Sequence, residues 1–296
     1  MTDIDVLLPF YGDVGFLKLA VESVLAQQAG GWRLTVVDDG YPDPTVREWF
    51  AGLRDPRVRY HRNCENLGAN VNYRHALSMA EADYVVVMGA DDVMLPDYIG
   101  LVRDVITANP SVAVVQPGVR VVDEAGRVVK PLGDRVKRAL RPRAPGGAAT
   151  IAGEELARSL LRANWTYFPS LCWHRRTISD LGFRRGLDVV QDLALLLDVA
   201  SAGGTMVLVD DVVFGYRRHS GSDSAVRALA GSRFEEERRF FRTAAVESRE
   251  RGWTSAARAA RLHLTSRLNA ASLVPAAVRS RAWGPARALL RHVAAT

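Results

Sequence analysis

Short runs of apolar residues alternate with amphipathic stretches along the first part of the chain. The apolar runs have the length of strands and lie at 5–10, 34–37, 58–61, 84–88 and 112–116. Between these runs apolar residues recur at helical spacing, first as Leu17, Val21, Val24 and Leu25. This alternation of strand and helix predicts an α/β fold, with a mostly parallel twisted sheet flanked by helices.

The pattern becomes less regular further along the chain. Residues 130–150 are rich in Pro, Gly and Arg and predict a mobile connection, which could be a lid over a site or an ordinary surface loop. Two helices, near 154–162 and 191–202, are expected after it. Two strands, at 206–209 and 212–216, are expected to follow the second helix.

Composition indicates a folded protein without a spanning helix. Of the 296 residues, 48% are hydrophobic and 24% are charged, which is ordinary for a globular chain. No run of about 18 apolar residues is present, and the first residues lack the basic region of a signal peptide. Cys64 and Cys172 match no metal-binding spacing and are expected to be reduced thiols. We therefore expect a cytoplasmic protein.

Residues 225–296 differ from the rest of the chain in charge. They carry 14 Arg and five Glu, a net charge of +9, whereas the residues before them carry −3. Their apolar residues recur at helical spacing, as Trp253, Ala257, Ala260, Leu264, Leu268 and Ala271. We expect a helical extension whose arginines make peripheral contact with anionic lipid on the inner face of the membrane. A solvated Arg-rich face is the alternative. Nucleic acid is not expected, because several aromatic residues have core-like spacing.

The most informative run is VVVMGADD, at residues 85–92. A buried strand there leads directly into Asp91 and Asp92, and Asp39 ends an earlier strand. The carboxyl ends of parallel strands meet at one edge of a sheet, where carboxylates can hold a hard divalent cation against phosphate oxygens. Each acid taken alone also fits a helix cap or an ordinary turn. The argument therefore depends on the whole set, which includes Asp192 and His219.

Seven motifs occur in an order typical of one enzyme family. They are LLPFYGD (7–13), SVLAQQ (23–28), VVDDGYPD (36–43), ENLGANVN (65–72), ADD (90–92), QDLALLLDVASAGG (191–204) and YRRHSGSDS (216–224). With this ordered set the chain resembles the inverting glycosyltransferases of family 2, which have the GT-A fold. The resemblance implies a GT-A domain over 1–224, with a nucleotide-binding half (1–118) and an acceptor-binding half (151–224). The basic extension at 225–296 would follow it.

The resemblance also implies roles for residues on the nucleotide side. Pro9, Phe10 and Tyr11 would line the base pocket. Asp39 would accept a hydrogen bond from N3–H of uracil or thymine, and Asp38 would fix the loop or the ribose. The remaining nucleotide-binding residues implied by the motifs are Asn66, Gly68, Asn72 and Asp91.

For the reaction itself, the resemblance implies a metal ion and a base. Asp92, helped by Asp91 or by the backbone near Ala90, would hold Mg²⁺ or Mn²⁺ against the diphosphate. His219 would complete the metal or diphosphate site. Asp192 would be the catalytic base that removes the proton of the acceptor hydroxyl. The candidates for further diphosphate contacts are Arg217 and Arg218.

Several positions depart from the family pattern. Gln191 stands where the family usually has Glu, Tyr41 stands where Ser is usual, and the metal motif is ADD rather than DAD or DDD. Asn72, Tyr73 and Arg74 replace the usual Ala-Arg-Asn. These departures concern the identity of the substrate more than the class of reaction.

We therefore expect a metal-dependent inverting glycosyltransferase that uses a UDP- or dTDP-sugar. The expected acceptor is a saccharide or a lipid-linked saccharide of the cell surface. A nucleotidyltransferase is a second interpretation, but it would need a basic phosphate loop after the first strand, and no basic residue occurs there before Lys18. A third is a non-catalytic protein that binds a sugar nucleotide.

Overall fold

The computed structural model describes residues 3–219, 232–281 and 283–294. Its strands are β1 (Ile4–Phe10), β2 (Trp32–Asp38), β3 (Val58–Arg62), β4 (Tyr84–Val87), β5 (Val93–Met94), β6 (Val114–Val122), β7 (Ala148–Ala152), β8 (Cys172–His174) and β9 (Thr205–Arg217). The α-helices within residues 3–219 are α1 (Val14–Leu25), α2 (Thr45–Gly52), α3 (Ala69–Ser78), α4 (Tyr98–Ala108), α5 (Leu132–Leu140), α6 (Gly153–Arg162), α7 (Arg175–Leu181) and α8 (Gln191–Ser201). The α-helices from residue 232 onward are α9 (Ser232–Glu250), α10 (Thr254–Leu262), α11 (Leu264–Arg279) and α12 (Trp283–Ala294). The predicted domain boundary at 224/225 and the last part of the YRRHSGSDS motif lie outside the described residues.

The nine described strands form one sheet with the order β3–β2–β1–β4–β8–β6–β9–β5, and β7 also pairs with β9. Strands β3, β2, β1 and β4 are parallel, as the alternation of strand and helix predicts. The short strand β8 is antiparallel to both of its neighbours, while β6 and β9 run parallel. The α/β fold is thus confirmed, and the parallel part is the half that the sequence pattern describes well.

Two hydrophobic cores cover the two faces of the sheet. Strand β1 is buried along its whole length, which explains why its sequence is a continuous apolar run. Val6 and Leu8 point to the face covered by α1 and α4, whereas Leu7 points to the face covered by α6 and α8. Because both faces are packed, polar groups at the ends of the strands gather at one exposed edge.

The segment 130–150, expected to be a mobile connection, contains regular secondary structure. It contains helix α5, a short 3₁₀ turn at Pro145–Gly147 and the beginning of β7. The apolar residues of α5, Leu132, Val136, Ala139 and Leu140, recur at helical spacing but none is buried, and the one buried residue of the helix is Asp134. Asp134 in its first turn and Lys137 and Arg138 in its last turn complement the helix dipole.

The C-terminal helices pack on the main domain, but not through one continuous stripe. Phe240 and Phe241 of α9 enter the core that contains α8. Helix α10 ends before His263, which has a positive φ of 28°. Beyond this break Leu264 and Leu268 are exposed, so the predicted stripe is wrong after residue 263. Among the described residues, no helix is long and apolar enough to cross a membrane.

Candidate active site

Two acidic residues at the end of β2 organise the loops beside it. Asp38 is buried, and its Oδ1 accepts a hydrogen bond of 2.7 Å from the amide of Tyr41. Its Oδ2 accepts one from the hydroxyl of Tyr60 and lies 3.5 Å from Nε of Arg62. Asp38 therefore fixes the loop after β2, which is one of the two roles expected for it.

Asp39 holds the turn that precedes α3. Its Oδ1 accepts hydrogen bonds from Asn63 and from the amide of Leu67, and its Oδ2 accepts one of 2.9 Å from the amide of Gly68. Asn66 closes the same turn, since its side chain also accepts from the Gly68 amide at 2.8 Å. Gly68 has a φ of 83°, a conformation that glycine adopts without strain.

The two loops approach each other too closely for a side chain at residue 40. A Cβ at Gly40 would lie 2.8 Å from the carbonyl carbon of Glu65. This contact explains the glycine of the VVDDG motif in physical terms. It also means that the positions of Asp39 and the 65–68 turn are set together.

A buried amide network continues from Asp39 into α3. Asn72 donates to the carbonyl of Val37 at 3.0 Å and accepts from Asn63 at 3.0 Å. Asn63 also contacts Nδ1 of His75 at 3.0 Å. Sequence reasoning missed Asn63, which links Asp39 to Asn72, because a single Asn after a strand carries no distinctive signal.

Three aromatic rings meet above the end of β1. The ring of Tyr41 lies 5.0 Å from that of Phe10 and 5.4 Å from that of Tyr11. Pro9 and Phe10 are buried, whereas Tyr11 is 55% exposed and is free to stack on a ligand. Tyr41, one of the departures from the family pattern, thus joins the predicted aromatic group.

The acidic pair after β4 contains a buried carboxylate oxygen that lacks a partner. Asp92 is 1% exposed, and its Oδ1 accepts a hydrogen bond of 2.8 Å from the amide of Arg217. Its Oδ2 has no hydrogen-bond partner within the described part of the chain. Burial and the neighbouring charge of Asp91 raise the pKa of Asp92 well above its ordinary value.

The geometry around Gly89 fits a hard divalent cation. A Cβ at Gly89 would lie 2.6 Å from Oδ2 of Asp92 and 2.8 Å from Oδ1 of Asp91, so only glycine lets both carboxylate oxygens come this close to the backbone. Mg²⁺ and Mn²⁺ prefer such oxygen ligands, and Mg²⁺ is usually held by one or two carboxylates together with substrate phosphates. Over residues 3–219, 232–281 and 283–294, no group of three or more His, Cys, Asp and Glu side chains forms a closed metal site.

His219 and Arg217 position the acidic pair. Nε2 of His219 lies 2.8 Å from Oδ2 of Asp91. The guanidinium of buried Arg217 donates to the carbonyls of Asp91, Asp123 and Glu124, at 2.7, 3.0 and 3.1 Å. The guanidinium of Arg217 is thus used to hold the loops around the acidic pair, and it is not available to contact a diphosphate as expected.

Arg218 points toward α5. Its guanidinium makes two hydrogen bonds to the carboxylate of Asp134, at 2.7 and 2.8 Å. The hydroxyl of Tyr167 also donates to Asp134, at 2.9 Å. Arg218 is therefore already paired, and α5 is fastened to the end of β9 next to His219.

Asp192 lies in the first turn of α8 and is half-buried. Its Oδ2 accepts a hydrogen bond of 3.3 Å from Asn164, and its Oδ1 accepts one of 2.7 Å from the amide of Leu193. Lys137 of α5 interacts electrostatically with Asp192, and burial lowers the pKa of Lys137 to about 8. Its ammonium donates to the carbonyl of Thr166 at 3.0 Å and lies 4.7 Å from the ring centre of Tyr167.

Helix α5 thus connects the two halves of the candidate site. Asp134 binds Arg218 at the end that holds the acidic pair, and Lys137, one turn later, interacts with Asp192. Sequence reasoning missed both residues, because they lie in the segment that was predicted to be a loop.

A residue of the C-terminal helices also reaches this site. Oε1 of Glu236 in α9 accepts hydrogen bonds from the amides of Asp188, Val189 and Val190, at 3.0, 2.7 and 3.0 Å. These amides directly precede α8, where the positive end of the helix dipole favours a carboxylate. The turn before Asp192 is therefore held by a residue outside the predicted catalytic motifs.

Comparison with curated proteins finds relatives over part of the chain. The uncharacterized protein y4gI of Sinorhizobium fredii is 33% identical over 117 residues, which cover 38% of this chain and 13% of that protein. WcaA of Escherichia coli, named as a glycosyl transferase of colanic acid biosynthesis, is 27% identical over 95 residues, covering 32% of this chain and 34% of WcaA. EpsE of Bacillus subtilis, named as a glycosyltransferase, is 28% identical over 95 residues, covering 31% of this chain and 34% of EpsE. The matches thus span about a third or less of these relatives.

Solved structures share the fold at low sequence identity. The crystal structure of S. aureus TarS 1-349 in complex with UDP-GlcNAc matches 99% of this chain and 82% of that chain, with a TM-score of 0.70 and 16% identity. The complex of the same protein with UDP matches 80% of this chain and 64% of that chain, with a TM-score of 0.60 and 16% identity. This likeness confirms the GT-A fold followed by C-terminal helices.

The family model described as glycosyl transferase family 2 matches residues 5–168, which is more than half of the chain. The matched range contains the loops after β1 and β2, the turn before α3 and the acidic pair after β4. On this match, and in agreement with its fold, the chain belongs to glycosyl transferase family 2.

Proposed function

We propose that this protein is a metal-dependent inverting glycosyltransferase that transfers a sugar from a UDP- or dTDP-sugar to a saccharide or lipid-linked acceptor. The observation that carries the proposal is the buried Oδ2 of Asp92, which has no hydrogen-bond partner among the described residues and lies beside Oδ1 of Asp91 against Gly89. A buried carboxylate oxygen without a partner is costly in a folded protein and is explained by a ligand that binds there.

The base of the donor would lie against the aromatic group. Tyr11 is exposed and supported from the side by Tyr41, so it can stack on a pyrimidine. A carboxylate has about four lone-pair positions, and Asp39 uses three of them within the protein. One position is left for the N3–H of uracil or thymine, which cytosine lacks.

The diphosphate would lie over the acidic pair. Asp92 and Asp91 would hold Mg²⁺ or Mn²⁺, which when bound supplies the Lewis acidity that neutralises the departing nucleoside diphosphate. His219 fixes the orientation of Asp91 through its hydrogen bond to Oδ2. Arg217 fixes Asp92 through its amide, so the two carboxylates are oriented before any ligand arrives.

Asp192 would act on the acceptor. Its carboxylate would take the proton of the acceptor hydroxyl as that oxygen attacks the sugar carbon from the side opposite the diphosphate, and this inverts the configuration. Asn164 and the amide of Leu193 orient the carboxylate, and Lys137 interacts with it electrostatically. General-base catalysis of this kind contributes about 10²–10⁴-fold in rate.

Exposed apolar residues support peripheral membrane contact as an additional property. Leu264 and Leu268 of α11 and Trp283 of α12 are 53%, 68% and 60% exposed, and arginines flank them in the sequence. Apolar side chains beside cations are typical of helices that lie on an anionic membrane surface. Such contact would bring a lipid-linked acceptor to the enzyme.

The experiment that tests the proposal is release of nucleoside diphosphate from UDP- and dTDP-sugars in the presence of Mn²⁺ and candidate acceptors. We expect release with one donor, and we expect Asp92→Asn and Asp192→Asn each to abolish it. Asp180→Asn is the matched control, since Asp180 is an exposed carboxylate of α7. Equal release by the control and both site variants would reject the assigned roles.

A further inference from the structure

A cavity of about 760 Å³ is lined on one side by α5. Its walls are the second half of β6, the residues that follow it, α5 with the connection to β7, and the bend in β9 near residue 210. This volume falls within the range of about 300–1,000 Å³ that is typical of ligand sites. It is large enough for several sugar rings.

The cavity is strongly cationic. Its basic lining residues are Arg120, Lys130, Arg135, Arg138, Arg141 and Arg143. Its acidic lining residues are Asp134 and Asp210, and each is already bound to an arginine, Asp134 to Arg218 and Asp210 to Arg141. The positive charge of the other basic residues is therefore not neutralised by the acids of the cavity.

Five of these cations have no bound partner in the described ranges. Arg120, Lys130, Arg135, Arg138 and Arg143 make no side-chain hydrogen bond or ion pair with residues 3–219, 232–281 or 283–294, and all five are exposed. Like charges gathered around one concave surface raise the local concentration of anions. Arginine also binds carboxylate and phosphate groups with two parallel hydrogen bonds.

The cavity and the candidate active site share a wall. Asp134 lines the cavity and holds Arg218, which precedes His219 in the chain. Tyr167 also lines the cavity, and its ring lies 4.7 Å from the ammonium of Lys137, which interacts with Asp192. A chain-like ligand held in the cavity would thus lie against two residues, Asp134 and Tyr167, that contact the candidate site on their other side.

We propose that this cavity binds a negatively charged part of the acceptor, a saccharide chain that carries carboxylate or phosphate groups. The inference rests on the proposed glycosyl transfer, whose acceptor class it specifies. The nucleotide itself is not the expected occupant, because the aromatic group and the acidic pair that suit it lie at the ends of β1, β2 and β4. Carboxylate and phosphate groups are both anions that arginine binds with two hydrogen bonds. Separate binding measurements with a carboxylate ligand and a phosphate ligand show which of the two the cavity prefers.

The test is calorimetric binding without nucleotide, using a trimer of galacturonic acid, tripolyphosphate and neutral maltotriose. We expect the galacturonate trimer or tripolyphosphate to bind, with an affinity that falls as salt rises, and maltotriose not to bind. The double variant Arg138→Gln/Arg143→Gln should lower the affinity at least tenfold. The matched control Arg287→Gln/Arg291→Gln removes the same charge from exposed positions of α12 and should leave the affinity unchanged.

Three results would overturn the inference. They are absence of binding by both anionic ligands, equal binding of maltotriose, and equal weakening by the cavity variant and the control. Because the altered arginines are exposed and make no side-chain bond within the described part of the chain, both variants should fold, and binding of UDP or dTDP with Mn²⁺ in the same samples reports on this. If the wild-type protein binds the anionic ligand but neither UDP nor dTDP with Mn²⁺, the proposed donor is rejected and the cavity site is retained. Arg143→Glu, a charge reversal, should weaken anion binding further than Arg143→Gln.

Discussion

The backbone amide of Arg217 donates a hydrogen bond of 2.8 Å to Oδ1 of Asp92, and this bond joins the end of β9 to the loop after β4. The same arginine binds the carbonyl of Asp91 through its side chain. Arg217 therefore fixes both members of the acidic pair, while Oδ2 of Asp92 has no partner in the described part of the chain. In the proposed function, this arrangement would orient one carboxylate oxygen for a cation before the donor arrives.

Replacement of Asp92 by Asn should weaken metal-dependent nucleotide binding. The amide can still accept the hydrogen bond from Arg217, but it loses the charge that attracts the cation. Even changes in residues around metal ligands typically cost about 10–100-fold in affinity, so we expect a loss of at least about tenfold. Calorimetry with and without Mn²⁺ measures it, with Asp180→Asn as the control. If nucleotide binding by Asp92→Asn depends on Mn²⁺ as strongly as binding by wild type, Asp92 is not a metal ligand.

Asp192→Asn should abolish sugar transfer and spare nucleotide binding. Asparagine keeps the shape of the side chain and its contact with Asn164, but it cannot take a proton at neutral pH. The expected loss in kcat is about 10²–10⁴-fold. Fixed-time assays measure sugar transfer, and UDP calorimetry on the same sample measures nucleotide binding, so a loss of turnover is distinguished from a loss of affinity. Turnover within a factor of two of wild type would show that the base is elsewhere.

Glu236 should affect catalysis through the position of α8. Glu236→Ala leaves three amides before Asp192 without their acceptor, and loss of a helix cap typically costs about 0.5–2 kcal/mol. We expect lower stability in urea, and a lower kcat with little change in KM for the donor. Glu236→Gln, which keeps an acceptor oxygen, should recover part of both. The control is Glu235→Gln, because Glu235 lies in the same helix and is exposed. If kcat falls equally in Glu235→Gln and Glu236→Ala, Glu236 does not act by positioning α8.

The lowered pKa of Lys137 should appear in the pH dependence of stability. Burial lowers this pKa to about 8 in the folded protein, whereas an unfolded lysine titrates near 10.4. Between these values the unfolded chain binds more protons, so the contribution of Lys137 to stability increases as the pH rises. The melting temperature of wild type minus that of Lys137→Met should therefore increase from pH 7 to pH 10. A decrease over this interval would mean that Lys137 is held charged.

Membrane contact is best tested by point variants. Truncation after Ser224 would remove α9, whose Phe240 and Phe241 belong to the main core and whose Glu236 holds the turn before α8. Leu268→Ser/Trp283→Ser removes exposed apolar groups instead. We expect it to reduce co-sedimentation with anionic vesicles, and we expect added salt to reduce the binding of wild type. Leu19→Ser, at an exposed position of α1, is the control. Equal binding by all three proteins would exclude these helices as the contact.

The sequence predicts the parts of the fold that have strong hydrophobic patterns. Strands β1 and β4 were recognisable because burial on both faces produces apolar runs, and α8 was recognisable from its leucines. Helix α5 was not recognised, because its few apolar residues lie among the Pro, Gly and Arg residues that indicated a loop. The break at His263 depends on a positive φ, and the short strand β8 has only three residues, so neither has a periodic signal.

The candidate site was predictable to a similar extent. Asp39, Asp92 and Asp192 were identified from ordered motifs, and the structure gives each a specific environment. Their supports could not be identified, because Asn63, Lys137 and Glu236 act through contacts between residues far apart in sequence. Arg217 was expected to face a phosphate, but its guanidinium is used by backbone carbonyls.

Calorimetric titration with UDP, dTDP, GDP and CDP, each with and without Mn²⁺, tests the central claim most directly. The account predicts that UDP or dTDP binds, that GDP and CDP do not, and that binding requires Mn²⁺. It also predicts that Asp39→Ala removes this binding, because Asp39 sets the turn at 65–68 and would accept from the base. Binding that is independent of Mn²⁺, or no binding of any of the four nucleotides, would contradict it.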